Sequence, residues 1–289
     1  MSPTGSDRLI LILTRRCNLR CGWCPQEFED RDMDLETLNR ALEAAARRAR
    51  APTVVKLFGG EPLLRPDLVM SAVRSARALL ASPSIELPTN GTLLDEKLCV
   101  FLRRHPEVEV QLSRPCAWAA SLPNVSFNFL LGPGEAAERA CRRFLDVVTS
   151  GQRRFNFLPA YFIEWTDGEL AELRRTFSGL AALLGRLRGK GVPVEVENIR
   201  RVGATALFND GLVVDTDGSL YGTNAILIRG AKAASRKLRL GGVDDLARVQ
   251  AHADPAPLLA ACFSPGAERG TLRVDAALTS FVRGLEAAR

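Results

Sequence analysis

Three cysteines stand at Cys17, Cys21 and Cys24 in "TRRCNLRCGWCPQ", and no fourth lies near them. A structural zinc site takes four ligands and a disulfide takes two, so a triplet asks for a different chemistry. The spacing fits a [4Fe–4S] cluster held by three thiolates. Such clusters usually take four cysteines, and supplying three leaves one iron open to a substrate or cofactor, as catalytic zinc sites keep one position open. The alternatives are a zinc knuckle, which would need a fourth ligand, and three unrelated thiols. The two histidines, His105 and His252, are isolated in sequence, which rules against a multi-histidine metal site.

The elements around the triplet alternate between apolar strands and amphipathic helices, the pattern of a parallel sheet with helical crossovers. Leu9–Leu13 reads as the first strand, and the cysteines follow it directly. Leu35–Arg50 reads as a helix with Asp34 as its N-cap. Val54–Phe58 is the next strand, and Asp67–Leu80 the next helix, opened by Pro66. Ile85–Leu87 with Asp95–Arg104 repeats the unit, and Val108–Leu112 is a fourth strand. Val125–Leu131 with Glu135–Thr149, and Phe155–Pro159 with Glu169–Arg188, complete six units, the last helix capped by Thr166. Six units predict an α/β fold: a partial (β/α)6 TIM-like barrel over residues 1–189, with chemistry at the C-terminal strand ends. From about residue 190 the pattern breaks. "GLVVDTDGSLYGTNAIL" reads as two short strands joined by a hairpin turn. Helical stretches follow near Val243–Ala251, Ala256–Cys262 and Asp275–Ala288, so residues 190–289 read as a small α+β appendage.

Composition narrows the class. The chain has 289 residues, 46% hydrophobic and 25% charged, the balance of a globular protein. No apolar run approaches the roughly 20 residues that span a bilayer, and the N-terminal apolar run lacks a cleavage site, so a cytoplasmic protein without membrane contact is expected. The net charge of +6 is carried by arginines scattered along helices. They are not interleaved with aromatics, so they read as solvated helix faces rather than a nucleic-acid surface, with a mild attraction for acidic partners. Cys99, Cys116, Cys141 and Cys262 read as small hydrophobes in a reducing compartment.

On these residues the chain resembles a known family. "CNLRCGWC" resembles the signature of radical S-adenosylmethionine (SAM) enzymes, in which an aromatic precedes the third cysteine; here it is Trp23. "KLFGGEPLL" is similar to the family's Gly-Gly-Glu-Pro motif after the second strand, and "LPTNGTLL" to the Thr-Asn-Gly turn after the third. "VQLSRP" ends the fourth strand with Ser113, where many relatives carry a ribose-contacting serine. The resemblance covers about residues 8–185. It implies that Cys17, Cys21 and Cys24 ligate three irons and that SAM chelates the fourth. Gly59 and Gly60 would let the backbone approach the methionyl group, Glu61 would accept from its ammonium, and Pro62 would end the strand. Trp23, Asn90 and Ser113 join them as implied cofactor contacts. The implied reaction is one-electron cleavage of SAM to methionine and a 5′-deoxyadenosyl radical, which abstracts hydrogen from a substrate carbon, fed by a reducing partner such as a flavodoxin or ferredoxin.

"LVVDTDGSLYGTN" resembles the hairpin of SPASM and twitch extensions, which usually bind auxiliary clusters. This chain departs from them: Gly222-Thr223-Asn224 stands where a relative reads cysteine, and Cys262 is the lone cysteine after residue 190. One thiol cannot hold a cluster, so a single cluster is expected. "FNFLPAYFIEWTDGEL" is also similar to SPASM-like proteins and places Tyr161 and Trp165 after the sixth strand, where core packing is favoured over a substrate contact. The hairpin resemblance points to maturation of a ribosomally made peptide, with a separate peptide-recognition protein as a further partner. A small-molecule substrate (sugar, nucleoside or amino acid) and a non-catalytic cluster scaffold are the alternatives. With all three ligands near the N-terminus, a chain cut after Gly189 is expected to lose some solubility but, where soluble, to keep its cluster and to cleave SAM uncoupled from product. Changes at Tyr221 or Asn224 should act as milder forms of that cut.

Overall fold

The computed structural model describes residues 8–199, 211–249 and 264–288. Its organising strand is β1 (Arg8–Thr14), whose sequence is apolar on both faces and whose residues from Leu9 onward are all buried. Leu9, Leu11 and Leu13 join the main core under the helices, while Ile10 and Ile12 join a second cluster on the opposite face. A strand buried on both sides needs cover on both, which is why it lies inside the sheet rather than at its edge. β2 (Val54–Gly59), β3 (Ser84–Thr89), β4 (Val108–Leu112), β5 (Val125–Leu131) and β6 (Arg154–Pro159) follow in consecutive parallel order.

The crossovers form where polar caps meet apolar stripes. In α1 (Leu35–Ala46) the Asp34 carboxylate accepts from the Thr37 N–H at 2.6 Å. α2 (Pro66–Leu79) opens on proline, and α3 (Glu96–Arg103) is capped by Asp95. α4 (Ala137–Thr149) packs on α5 (Asp167–Gly189), which begins with the full Thr166–Glu169 capping box. Phe127, Phe129, Phe144, Phe155 and Phe157 fill the space between β5, β6 and α4 with edge-on and tilted rings. The (β/α)6 partial barrel is therefore present, with α1 and α4 shorter than the sequence pattern implied.

The chain beyond residue 190 rejoins this sheet on both sides. β7 (Glu195–Val196) adds to β6. β8 (Leu212–Val214) pairs in parallel with β1, with Ile10 opposite Val213. It turns back through Asp215–Gly218 into antiparallel β9 (Ser219–Tyr221), and β10 (Arg239–Gly242) closes the edge. The expected hairpin is thus real, but it extends the barrel sheet. α6 (Lys232–Leu238) leads to β10, and a single 3-10 turn, Val243–Asp245, stands within the stretch where a helix was expected. The helix expected at 256–262, with Cys262, lies outside the described residues. α7 (Pro265–Ala287) begins ten residues earlier than the helix expected from Asp275, with Ser264 as N-cap. It packs on α5 and β6, where Phe281 meets Phe157 edge-on at 5.3 Å and stacks on Phe177 at 4.8 Å.

That packing decides the role of the aromatics after β6. Tyr161 and Trp165 are buried, with the Tyr161 hydroxyl 3.4 Å from Asp275 on α7 and Trp165 Nε1 donating to the Ala160 carbonyl at 2.9 Å. Both are core residues, as favoured from the sequence. Cys99 is buried, Cys116 and Cys141 are half-buried, and all three are free thiols. Among the described residues no helix is long and apolar enough to cross a membrane.

Candidate active site

The site forms where the C-terminal ends of β1 to β4 meet, and glycine makes the meeting close. Gly59 has φ of +149°, and a Cβ there would overlap the Thr14 carbonyl oxygen. A Cβ on Gly60 would overlap the Arg16 carbonyl and lie 3.1 Å from the Cys17 Cβ. The Gly60 N–H instead donates to Thr14 at 2.9 Å, and the Glu61 N–H to Arg16 at 2.8 Å. The glycines thus seat the start of the cysteine loop against the end of β2, a task the sequence reading had not given them.

Glu61 fastens the next strand. Its side chain is 1% exposed. Oε1 accepts from Thr89 Oγ1 at 2.7 Å and from the Leu63 N–H at 3.0 Å, while Oε2 accepts from the Asn90 N–H at 2.8 Å. A carboxylate offers about four acceptor positions, so three are used and one is left on Oε2 for a further donor. Burial pushes the carboxyl up, against the pull of those hydrogen bonds from Asn90, Thr89 and Leu63. Asn90 Nδ2 donates to Asn18 Oδ1 at 2.9 Å, and Asn18 Nδ2 donates to Thr92 Oγ1 at 2.9 Å. The Asn90 Oδ1 accepts from both the N–H and the hydroxyl of Thr92. Asn90 therefore holds the segment between Cys17 and Cys21 onto the turn after β3, with one N–H to spare.

Cys17, Cys21, Cys24, Trp23, Gly59, Gly60, Glu61, Asn90 and Ser113 all line one cavity of about 620 Å³. Pro62 does not: it is buried and opens the 3-10 turn Pro62–Leu64 that Glu61 caps. Trp23 packs on the loop after β5, where a Cβ on Gly132 would come within 2.9 Å of its ring. Ser113, at the cavity wall, donates both its backbone N–H at 3.0 Å and its hydroxyl at 3.4 Å to the Thr89 carbonyl, so the hydroxyl oxygen still has acceptor positions. Burial pushes the Cys17 and Cys24 thiols up, opposed by the backbone N–H groups of Leu19 and Gln26 respectively.

The donor set fits a cluster better than a single ion. Among the described residues no three Cys, His, Asp or Glu side chains converge as one ion would require. A cube of four irons takes one thiolate per iron, so it suits three thiols spread along one wall, with the fourth iron facing the cavity. Sequence reasoning missed the residues that frame this wall. Thr89 opens the Thr-Asn-Gly motif but was given no role of its own, and Asn18 stands inside the cysteine segment with no further signal. Arg143 lies 3.9 Å over the Phe129 ring and pairs with Glu135 through two hydrogen bonds, so its charge is neutralised at the rim. Arg114 and Arg139 also line the cavity, with no carboxylate partner among the described residues.

Residues 11–113 match the family model described as Radical SAM superfamily. The chain is 37% identical over 105 residues to a GTP 3′,8-cyclase of Parasynechococcus marenigrum (strain WH8102), covering 33% of this chain and 30% of that protein. It is 37% identical over 115 residues to the PqqA peptide cyclase of Gluconobacter oxydans (strain 621H), covering 38% and 31%. The chain thus spans about a third of the length of these relatives. The solved structure described as native anSMEcpe with bound AdoMet and Kp18Cys peptide superposes with a TM-score of 0.66 at 17% identity, covering 83% of this chain and 78% of that one. That likeness shows the partial-barrel fold. The family model runs from β1 to just past the end of β4, where the cysteine, Gly-Gly-Glu and Thr-Asn-Gly segments meet, so it is residues 11–113 of this chain that are similar to the radical SAM superfamily.

Proposed function

We propose that this chain is an enzyme in which Cys17, Cys21 and Cys24 hold one [4Fe–4S] cluster and the adjoining cavity holds SAM. The observation that carries the reading is the convergence of three thiols, a glycine-lined backbone edge and the Glu61 network on a single cavity. When bound, the pair supplies one-electron cleavage of SAM to methionine and a 5′-deoxyadenosyl radical that abstracts hydrogen from substrate. The chain's own residues bind and orient. The remaining acceptor position of Glu61 and the edge at Gly59 and Gly60 suit the methionyl group, Ser113 suits a ribose hydroxyl, and Trp23 offers an aromatic face. Electrons come from a flavodoxin or ferredoxin.

The substrate we favour is a ribosomally made peptide, delivered by a separate recognition protein. Its support is the similarity to a PqqA peptide cyclase and the fold shared with a structure described as holding a peptide. A second reading has its own observation: Arg114 and Arg139 at the cavity suit a small anionic molecule, and one relative is a GTP 3′,8-cyclase. The intact network around Glu61 speaks against a non-catalytic scaffold.

Anaerobic reconstitution tests the core of the proposal. The chain should hold about four irons and four sulfides and release 5′-deoxyadenosine under a strong reductant. Replacing Cys17, Cys21 and Cys24 together by Ala should abolish both. Iron that survives the triple replacement would overturn the assignment. Incubation with candidate peptides and with nucleoside phosphates, reading modified product per 5′-deoxyadenosine, separates the two substrate classes.

A further inference from the structure

The cysteine loop is held on two sides by different parts of the chain. Its entry is fixed by Gly60, Glu61 and Asn90, all within the motif-bearing strands. Its exit is fixed by residues some 200 positions later. The Glu27 N–H donates to the Leu227 carbonyl at 2.7 Å, and the Arg229 N–H donates to the Pro25 carbonyl at 2.9 Å. Gln26 and Ile228 form an antiparallel bridge between them. The Arg229 guanidinium donates to the carbonyl oxygen of Cys24 itself.

The turn that makes these contacts is anchored in turn. Thr223 Oγ1 caps the 3-10 turn Asn224–Leu227, and Ile226, Leu227, Ile228 and Ala231 pack against Ile10 and Ile12 of β1. A second tie runs alongside. Arg15, two residues before Cys17, forks onto the buried Asp215 at 3.0 and 2.5 Å and reaches Glu29 at 3.1 Å. Arg31 reaches Asp215 and Asp217.

We propose that the 224–229 turn is a clamp on the exit of the cysteine loop, and that Arg229 is a positioning residue for the Cys24 ligand that also raises the reduction potential of the cluster. The proposal rests on the reading of the three cysteines as cluster ligands. A main-chain bridge fixes where the Cys24 backbone stands, and so where its sulfur meets iron. A fixed positive charge beside a ligand favours the more negative, reduced form of a cluster, because net charge and hydrogen bonding around the sulfurs set the potential. Arg229 is exposed, so replacing it leaves the core intact.

The experiment uses the full chain, with Arg229→Ala, Arg229→Lys and Arg47→Ala, an exposed arginine at the C-cap of α1, as a control. Arg229→Ala should lose iron to a chelator ~10-fold faster than the parent, with a more negative midpoint potential and altered electron paramagnetic resonance of the reduced cluster. Arg229→Lys keeps the charge, so it should restore the potential, while chelator resistance returns in part. Arg47→Ala should match the parent in every readout. In the metal-free chain, hydrogen exchange at the Glu27 and Arg229 amides should quicken in Arg229→Ala alone. A parent-like chelator rate, potential and spectrum in Arg229→Ala would overturn the proposal. A parent chain that takes up no [4Fe–4S] cluster would overturn the reading of the cysteines and the charge effect with it, while the exchange rates still decide whether the clamp exists.

Discussion

The two flanks of the cysteine loop differ in kind. On the entry side, Gly59, Gly60, Glu61, Thr89 and Asn90 belong to short motifs at neighbouring strand ends, and polar hydrogen bonds do the fastening. On the exit side, a hairpin and turn from the far end of the sequence dock on β1 through apolar contacts and a buried Arg15–Asp215 fork. The entry can be assembled from one stretch of about a hundred residues, whereas the exit exists only when β8 has paired with β1. A loop of this kind therefore has a local half, fastened by hydrogen bonding, and a remote half that makes its geometry depend on the completed sheet.

The sharpest way to break the comparison is to remove the remote half. A chain cut after Gly189 exposes the Ile10 and Ile12 face of β1 and strips Asp215 from the buried Arg15. Exposed apolar surface and a buried guanidinium left with Glu29 as its remaining carboxylate both carry costs. The cut chain should lose most of its iron and aggregate. Iron content and light scattering check this, and a soluble chain with about four irons would show that the entry side suffices. This replaces the expectation, drawn from ligand positions alone, that the cut chain would keep its cluster.

The entry side is probed by Glu61→Ala, which leaves Thr89 Oγ1 and the Asn90 and Leu63 N–H groups without their acceptor. Orphaned buried donors cost about 1–3 kcal/mol each, so a total near 3 kcal/mol is expected after relaxation. Urea unfolding should show the loss in the metal-free chain, and SAM affinity should fall about tenfold or more in the reconstituted one. Unchanged SAM affinity beside lost stability would assign Glu61 to architecture alone.

The smallest effect concerns Asp32, which closes the loop onto β1. Its Oδ1 accepts from Thr14 Oγ1 at 2.6 Å, and Arg16 and Arg65 pair with it. Burial favours the protonated acid, but the Thr14 and Arg16 hydrogen bonds outweigh it and hold the carboxyl below its ordinary value of 3.8. A carboxylate with a lowered folded pKa stabilises the fold above its unfolded pKa and loses that contribution as pH falls through the folded one. Asp32→Asn should therefore cost about 1 kcal/mol at neutral pH, discounted for solvent screening. The gap from the parent should close as the solution is taken below the ordinary aspartate range. A gap that stays constant with pH would show that the carboxylate charge plays no part.

Much of this was legible in the residues themselves. Apolar strands and amphipathic helices marked the six barrel units, several of them sharpened by caps that lie within a short window: Asp34 to Thr37, Asp95 to Leu98, Thr166 to Glu169. The spacing of the three thiols and the family resemblance of the segments holding Glu61 and Ser113 singled these residues out, and all five line the one cavity. Other features depended on chain segments that meet late. That Gly59 and Gly60 make room for Thr14 and Arg16, that Pro62 turns away from the cavity, and that Tyr161 faces Asp275 on α7 follow from strand register and helix docking. The placement of β8 beside β1, and with it the hold of residues 227–229 on Cys24 to Glu27, was settled by the need to cover Ile10 and Ile12. An apolar alternation announces that a face must be buried, but any complementary apolar segment satisfies it, and only the folded chain selects which one does.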